Sequence, residues 1–232
     1  MTDHTVKAFG EDLRALSDSV ARMGEATLAQ LLGAIAAIAA CDVDLAARVV
    51  AGDDALDVME VRIEHQAARL IALRQPMALD LRQALAAMKI AGNLERCGDL
   101  AKSVAKRVAI LSDTPMPVGG AAALERLGRL VVEQLERVLL ANARDDLEGA
   151  HQVWRGDRQI DETYEAVFRE ILTHMMSEPR LISAGAHLLF MAKNLERIGD
   201  HATNIAEVVG YRISGEPTPG SARPKWDALT TH

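Results

Sequence analysis

NLERCGD at Asn93–Asp99 and NLERIGD at Asn194–Asp200 are the same heptapeptide at six of seven positions, 101 residues apart (196 − 95 for the glutamates). Extending the comparison to Ala91–Ala105 against Ala192–Ala206 gives nine identities in fifteen positions. Shared amphipathic patterning does not produce that level of identity, so the chain reads as an internal duplication. A period this long makes the structural unit about half the chain, roughly 100 residues.

A second acidic motif repeats upstream. Gly52, Asp53, Leu56 and Asp57 answer to Gly156, Asp157, Ile160 and Asp161 at an offset of 104 (157 − 53). Each half therefore carries two acid-x-x-x-acid motifs. The difference of three between the offsets falls around Gln75-Pro76 and Glu178-Pro179, which both read as turns.

Composition bounds the fold. Of the 232 residues 49% are apolar but only 3% aromatic, so the core has to be built from Ala, Leu, Val, Ile and Met, residues that form or tolerate helices. Period-two alternation is absent over any useful length, and the chain reads as all-α. Six helical stretches are expected: about 3–40, 42–73, 79–111, 121–143, 145–177 and 179–211. Asp42 and Asp44 supply N-cap chemistry to the second, and Asp145 and Asp146 to the fifth. Pro76 breaks the chain before the third. DTPMPVGG, with two prolines and two glycines, is the evident linker.

The expected organisation is a first three-helix repeat over 1–112, a linker over 113–120, a second repeat over 121–213 and an irregular tail over 214–232 that contains Pro217, Pro219, Gly220 and Pro224. Short connections make successive helices antiparallel, so the architecture is two tandem three-helix bundles.

Net charge is −7, with Lys and Arg scattered along the chain, which argues against a nucleic-acid partner. The longest apolar run, Leu31–Cys41, is shorter than the ~18–20 residues a bilayer span needs, and no signal peptide opens the sequence. The expectation is a soluble cytoplasmic protein. Cys41 and Cys97 lack C-x-x-C spacing and read as small buried apolar residues.

In a helix, residues four apart share a face, so Asp53 with Asp57, Glu95 with Asp99, Asp157 with Asp161 and Glu196 with Asp200 form four acidic pairs. Like charges at that spacing destabilise a helix by a few tenths of a kcal/mol per pair. Antiparallel neighbours would bring Asp53 and Asp57 to Glu95 and Asp99, and Asp157 and Asp161 to Glu196 and Asp200. Such groups of carboxylates call for protons or cations, and hard oxygen donors suit divalent or ferric ions: Mg, Mn, Fe or Zn. Acids four apart also decorate ordinary solvated faces, as Glu60 does with Glu64. Repetition of both motifs is what favours metal.

Gly98 and Gly199 sit inside helices, where glycine costs about 1 kcal/mol against alanine, and so call for close approach by a ligand or a second helix. His201 faces Leu100 in the other copy and reads as an ordinary polar residue. A di-iron oxidase or metal-storage protein is the rival function. The Glu-x-x-His signature of ferritin-like bundles is missing at both Glu95 and Glu196. No Walker, Rossmann or nucleophile-elbow motif is present either, so no catalytic residue is expected. With its acidic balance the chain is not expected to bind phosphate directly without an intervening cation.

NLERCGDLA and NLERIGDHATNIAE, with GDDALD, GDRQID and LRQPMALDLR, resemble the PhoU family of phosphate transport system accessory proteins up to about Tyr211. The resemblance implies a fold of two three-helix repeats. It also implies a homodimeric cytoplasmic regulator that represses the phosphate-starvation response by contacting a phosphate ABC transporter and a sensor histidine kinase, meeting the membrane only through those partners. Some members bind multinuclear metal clusters through acid-x-x-x-acid motifs, which here fall on Asp53, Asp57, Glu95, Asp99, Asp157, Asp161, Glu196 and Asp200.

Overall fold

The computed structural model describes residues 2–74, 79–112, 114–115 and 117–216, with the side chains of 2–8 and 74 left aside. The expected turn at Gln75-Pro76 and the tail prolines lie outside the described residues.

The helices are α1 (Thr2–Ala40), α2 (Val43–Gly52), α3 (Asp54–Arg74), α4 (Leu79–Leu111), α5 (Gly120–Arg144), α6 (Leu147–Ser177) and α7 (Ile182–Ser214), with a 3-10 turn at Pro179–Leu181 leading into α7. No strand occurs among the described residues. The duplication is visible in the first corner of each half. Cys41 and Asp145 both take left-handed backbone (φ 50° and 52°). The next residues, Asp42 and Asp146, donate their amides back to Ala37 O and Ala141 O, both at 3.0 Å. They then cap the following helix, Asp42 Oδ1 accepting from Leu45 N (2.8 Å) and Asp146 Oδ1 from Gly149 N (2.9 Å). A reversal closed this way ends one helix and starts the next within two residues.

Three expectations need correction. Cys41 is exposed, because it occupies this left-handed corner and not a helix face; only Cys97 is buried. The second stretch is not one helix but α2 and α3, interrupted at Asp53, whose φ of −66° and ψ of −39° stay helical. Gln30 of α1 sits at the interruption: its Nε2 donates to Val49 O (3.4 Å), the carbonyl that the Asp53 amide faces in an unbroken helix. In the second half Gln134 bonds elsewhere and α6 runs unbroken. The third concerns membrane spanning, which the sequence judged from the uninterrupted run Leu31–Cys41. Counted from Phe9 to Ala40, α1 is long and apolar enough to cross a bilayer. Half of its most apolar window is buried, spent on helices α2, α3, α4 and α5.

The two three-helix repeats do not keep separate cores. Buried residues form one continuous cluster running from Leu16 in α1 to Val209 in α7. α4 and α7, the duplicate third helices, pack on each other as well as on the helices of their own halves. Each is 33 residues long, about 50 Å. Alanines line much of their buried faces, Ala84, Ala91, Ala101 and Ala105 on α4 and Ala184, Ala192, Ala202 and Ala206 on α7. Small side chains let backbones approach closely, which suits a core with few aromatic rings to fill it.

Candidate cation sites

Where α2, α3 and α6 lie along α4 and α7, each half forms an acidic seam. The two glycines of the heptapeptides set the approach. A Cβ on Gly98 would collide with Leu56 Cδ1, and one on Gly199 would stand 3.0 Å from Ile160 Cδ1. Leu56 and Ile160 are themselves duplicates (160 − 56 = 104). The glycines thus serve a tight helix crossing, and the crossing carries the acids with it.

In the first seam Asp53 is buried, with 2% of its surface exposed. Its Oδ1 accepts from Gln30 Nε2 (3.0 Å) and its Oδ2 from Lys102 Nζ (2.5 Å). Lys102 Nζ also stands 4.0 Å from Asp99 Oδ1, so one ammonium serves two of the expected ligands. Its pKa is raised, by the Asp53 hydrogen bond first. Glu95 is mostly buried, Asp99 partly so, and Asp57 exposed. Arg96 bridges Glu95 Oε2 (3.3 Å) and Asp99 Oδ2 (3.5 Å). Burial nevertheless pushes the Glu95 carboxyl up to about 7, with Asp99, Glu60 and Asp57 adding to the shift and Arg96 opposing it.

The second seam repeats the frame with different chemistry. Gln134 stands for Gln30 (134 − 30 = 104) and Thr203 for Lys102 (203 − 102 = 101). Gln134 Nε2 donates to Thr203 Oγ1 (2.9 Å), and that hydroxyl donates to Asp157 Oδ1 (3.0 Å). A neutral hydroxyl has replaced an ammonium. Glu196 is buried at 9% exposure; its Oε1 accepts from Lys193 Nζ (2.6 Å), while its Oε2 is buried with no hydrogen-bond partner. A buried carboxylate oxygen without a partner is costly. The Asp200 carboxyl is pushed up to about 6, by burial against the seam first, then by Glu196 and Asp157, against Lys193. Asp161 is exposed and adds to the same shift.

The structure thus gathers Asp57, Glu95 and Asp99 in one field, and Asp157, Asp161, Glu196 and Asp200 in another, while Asp53 is tied to Lys102. Among the described residues no three His, Cys, Asp or Glu side chains converge as ligands of one ion. The seams are concentrations of negative charge without a preformed cage. His201, read as an ordinary polar residue, reaches across to the other repeat, its Nδ1 lying 2.9 Å from Asn93 Oδ1.

The sequence reading missed Gln30, Gln134, Lys102, Thr203, Lys193 and the contribution of Glu60. The glutamines carried a usable signal, since they repeat at the same offset as the upstream acids. Lys102 and Thr203 carried none, because unlike residues at equivalent positions look like noise in a repeat.

The raised carboxyls set a pH dependence. Unfolded, Glu95 titrates near 4.5; folded, near 7. The folded chain therefore holds a proton the unfolded chain has lost. This stabilisation is complete below pH ~4.5 and lost as pH rises through about 7. Glu95→Gln removes the loss. Thermal unfolding in chelator should show the variant more stable than wild type at pH 8 and not at pH 5; an equal difference at both pH values would refute the assignment.

Comparison with known proteins places this geometry in a family. The PhoU domain matches residues 20–108 and again 124–209, one match to each half. A phosphate-specific transport system accessory protein PhoU homolog of Caulobacter vibrioides is 53% identical over 230 residues, covering 99% of this chain and all of that protein. The homolog of Rhizobium meliloti is 42% identical over 98% of this chain and 96% of its own length. The crystal structure of PhoU from Pseudomonas aeruginosa superposes with a TM-score of 0.87 at 35% identity, covering 90% of this chain and all of that one. That of the phosphate transport system regulatory protein PhoU from Streptococcus pneumoniae gives 0.83 at 29% identity, covering 90% and 99%. With the duplicated heptapeptides, the twin three-helix repeats and these full-length likenesses together, the chain belongs to the PhoU family.

Proposed function

We propose that this chain is an accessory regulator of phosphate transport. It represses phosphate uptake and the phosphate-starvation response as a non-catalytic, metal-binding adaptor between a phosphate ABC transporter and a sensor histidine kinase. The observation that carries this reading is end-to-end similarity to relatives named as accessory proteins of phosphate-specific transport. On this reading the chain works in the cytoplasm as a homodimer and touches the membrane through its protein partners.

The second seam fits a hard cation by donor chemistry. Asp157, Asp161, Glu196 and Asp200 supply carboxylate oxygens, and Glu196 Oε2 is buried without a partner. In the first seam Asp57, Glu95 and Asp99 remain as donors, while Asp53 is already neutralised by Lys102. A bound Mg, Mn, Fe or Zn ion would add positive charge to these groups beyond what Arg96 and Lys193 already supply. The protein's own part is to present those oxygens on two rigid helices, at a crossing the heptapeptide glycines keep close.

Deleting the gene should raise expression of phosphate-scavenging genes in phosphate-replete medium, read with a transcriptional reporter. Unchanged expression would overturn the regulatory reading.

A further inference from the structure

The acidic overall balance conceals a local reversal of charge. Arg96 of α4 and Arg197 of α7 are duplicates (197 − 96 = 101), and the packing of α4 on α7 brings both to the wall of one cleft of about 260 Å³. Lys102, Lys106 and His201 line it too, with Asp99 the one acid. Four formal positive charges thus meet one negative in a chain whose net charge is −7. Arg96 and Lys102 are partly committed, to Glu95 and Asp99 and to Asp53 respectively. Arg197 and Lys106 are exposed, and among the described residues neither side chain takes part in an ion pair or hydrogen bond. The contact between His201 Nδ1 and Asn93 Oδ1 links the two repeats beside the cleft.

Like charges drawn into one cleft repel, and an anion between them relieves the repulsion. A guanidinium presents its N–H groups as a fork that matches the oxygens of a phosphate, and a nearby ammonium adds a strong point charge. Net charge argues about the whole surface and says little about one cleft. Overall acidity argues against direct phosphate binding, but it hides the meeting of Arg197 of α7 with Arg96, Lys102 and Lys106 of α4, which only the packing of the two helices brings about.

We propose that the cleft between α4 and α7 binds a compact free oxyanion of the phosphate class, with Arg197 and Lys106 as principal contacts and Arg96 and Lys102 completing the site. The bound anion bridges the two repeats directly, without a metal ion between.

The test is isothermal titration calorimetry on the full chain, freed of metal and kept in chelator at low ionic strength, with inorganic phosphate and pyrophosphate as probes. Wild type should bind at least one of them saturably. Arg197→Ala and Lys106→Ala should each weaken that binding by about tenfold or more, the effect of losing a charge-assisted bond. Arg155→Ala, an exposed arginine of α6 paired with Glu148, should change nothing. Both target side chains are exposed, so unchanged unfolding midpoints will show that the variants are folded. Absence of saturable binding by wild type would overturn the proposal. So would undiminished binding by Arg197→Ala, or an equal loss in Arg155→Ala. A phosphoserine peptide binding more tightly than either inorganic probe would assign the cleft to a protein-borne phosphoryl group and overturn the free-anion assignment.

Discussion

Leu94→Ala and Leu195→Ala are each expected to lower the unfolding free energy by about 2–5 kcal/mol, and in each variant the whole chain should unfold in one transition. The two leucines are duplicates, both with no exposed surface, in the centres of α4 and α7. Truncating a fully buried leucine removes its transfer energy and leaves a cavity that the surroundings only partly close. For a chain of this size each kcal/mol shifts the midpoint by roughly 2–4 °C. Two bundles with separate cores would answer differently: a lesion in one would melt that half early and leave the other near its original midpoint. The continuous cluster from Leu16 to Val209 argues against that outcome, because α4 and α7 pack on each other as well as on the helices of their own halves. Calorimetry that resolves two transitions in either variant would refute the shared core.

Lys102→Met is expected to lower the unfolding midpoint, while the exposed Lys106→Met leaves it nearly unchanged. The asymmetry comes from what remains behind. Asp53, 2% exposed, would keep only the Gln30 amide as partner once the ammonium at 2.5 Å is gone. Removing one member of a buried pair strands a charge, whereas replacing both with apolar groups of similar size is often neutral. The double variant Asp53→Leu with Lys102→Met should therefore recover most of the loss. A double variant no more stable than Lys102→Met alone would show that the lysine acts through packing of its stem and not through its charge.

Helix limits set by local chemistry were readable in the sequence. The acids at 42 and 146 announce where helices start, and α4 runs over the expected Leu79–Leu111. The eight acids stand out in the sequence because duplication marks them twice, and the structure gathers seven of them into the two seams while Asp53 is tied to Lys102. What escaped is whatever depends on a residue from another helix. The interruption at Asp53 lies where Gln30, 23 residues away on α1, bonds to Val49 O and to Asp53 Oδ1, and nothing in GDDALD foretells that contact. The shared core escaped because an amphipathic pattern says that a face is covered without naming the helix that covers it. Lys102 and Thr203 escaped because duplication hides whatever the two copies do not share, and that difference leaves Asp53 neutralised while Asp157 is not.

The measurement that bears most directly on the account is the metal content of the purified protein. Protein prepared without added metal should carry divalent or ferric ions through gel filtration, read by elemental analysis. The folded variant Asp157→Asn, Glu196→Gln, Asp200→Asn should lose the share held by the second seam. Wild type free of metal, or a variant that keeps all of it, would contradict the claim that these carboxylates are gathered to hold a cation.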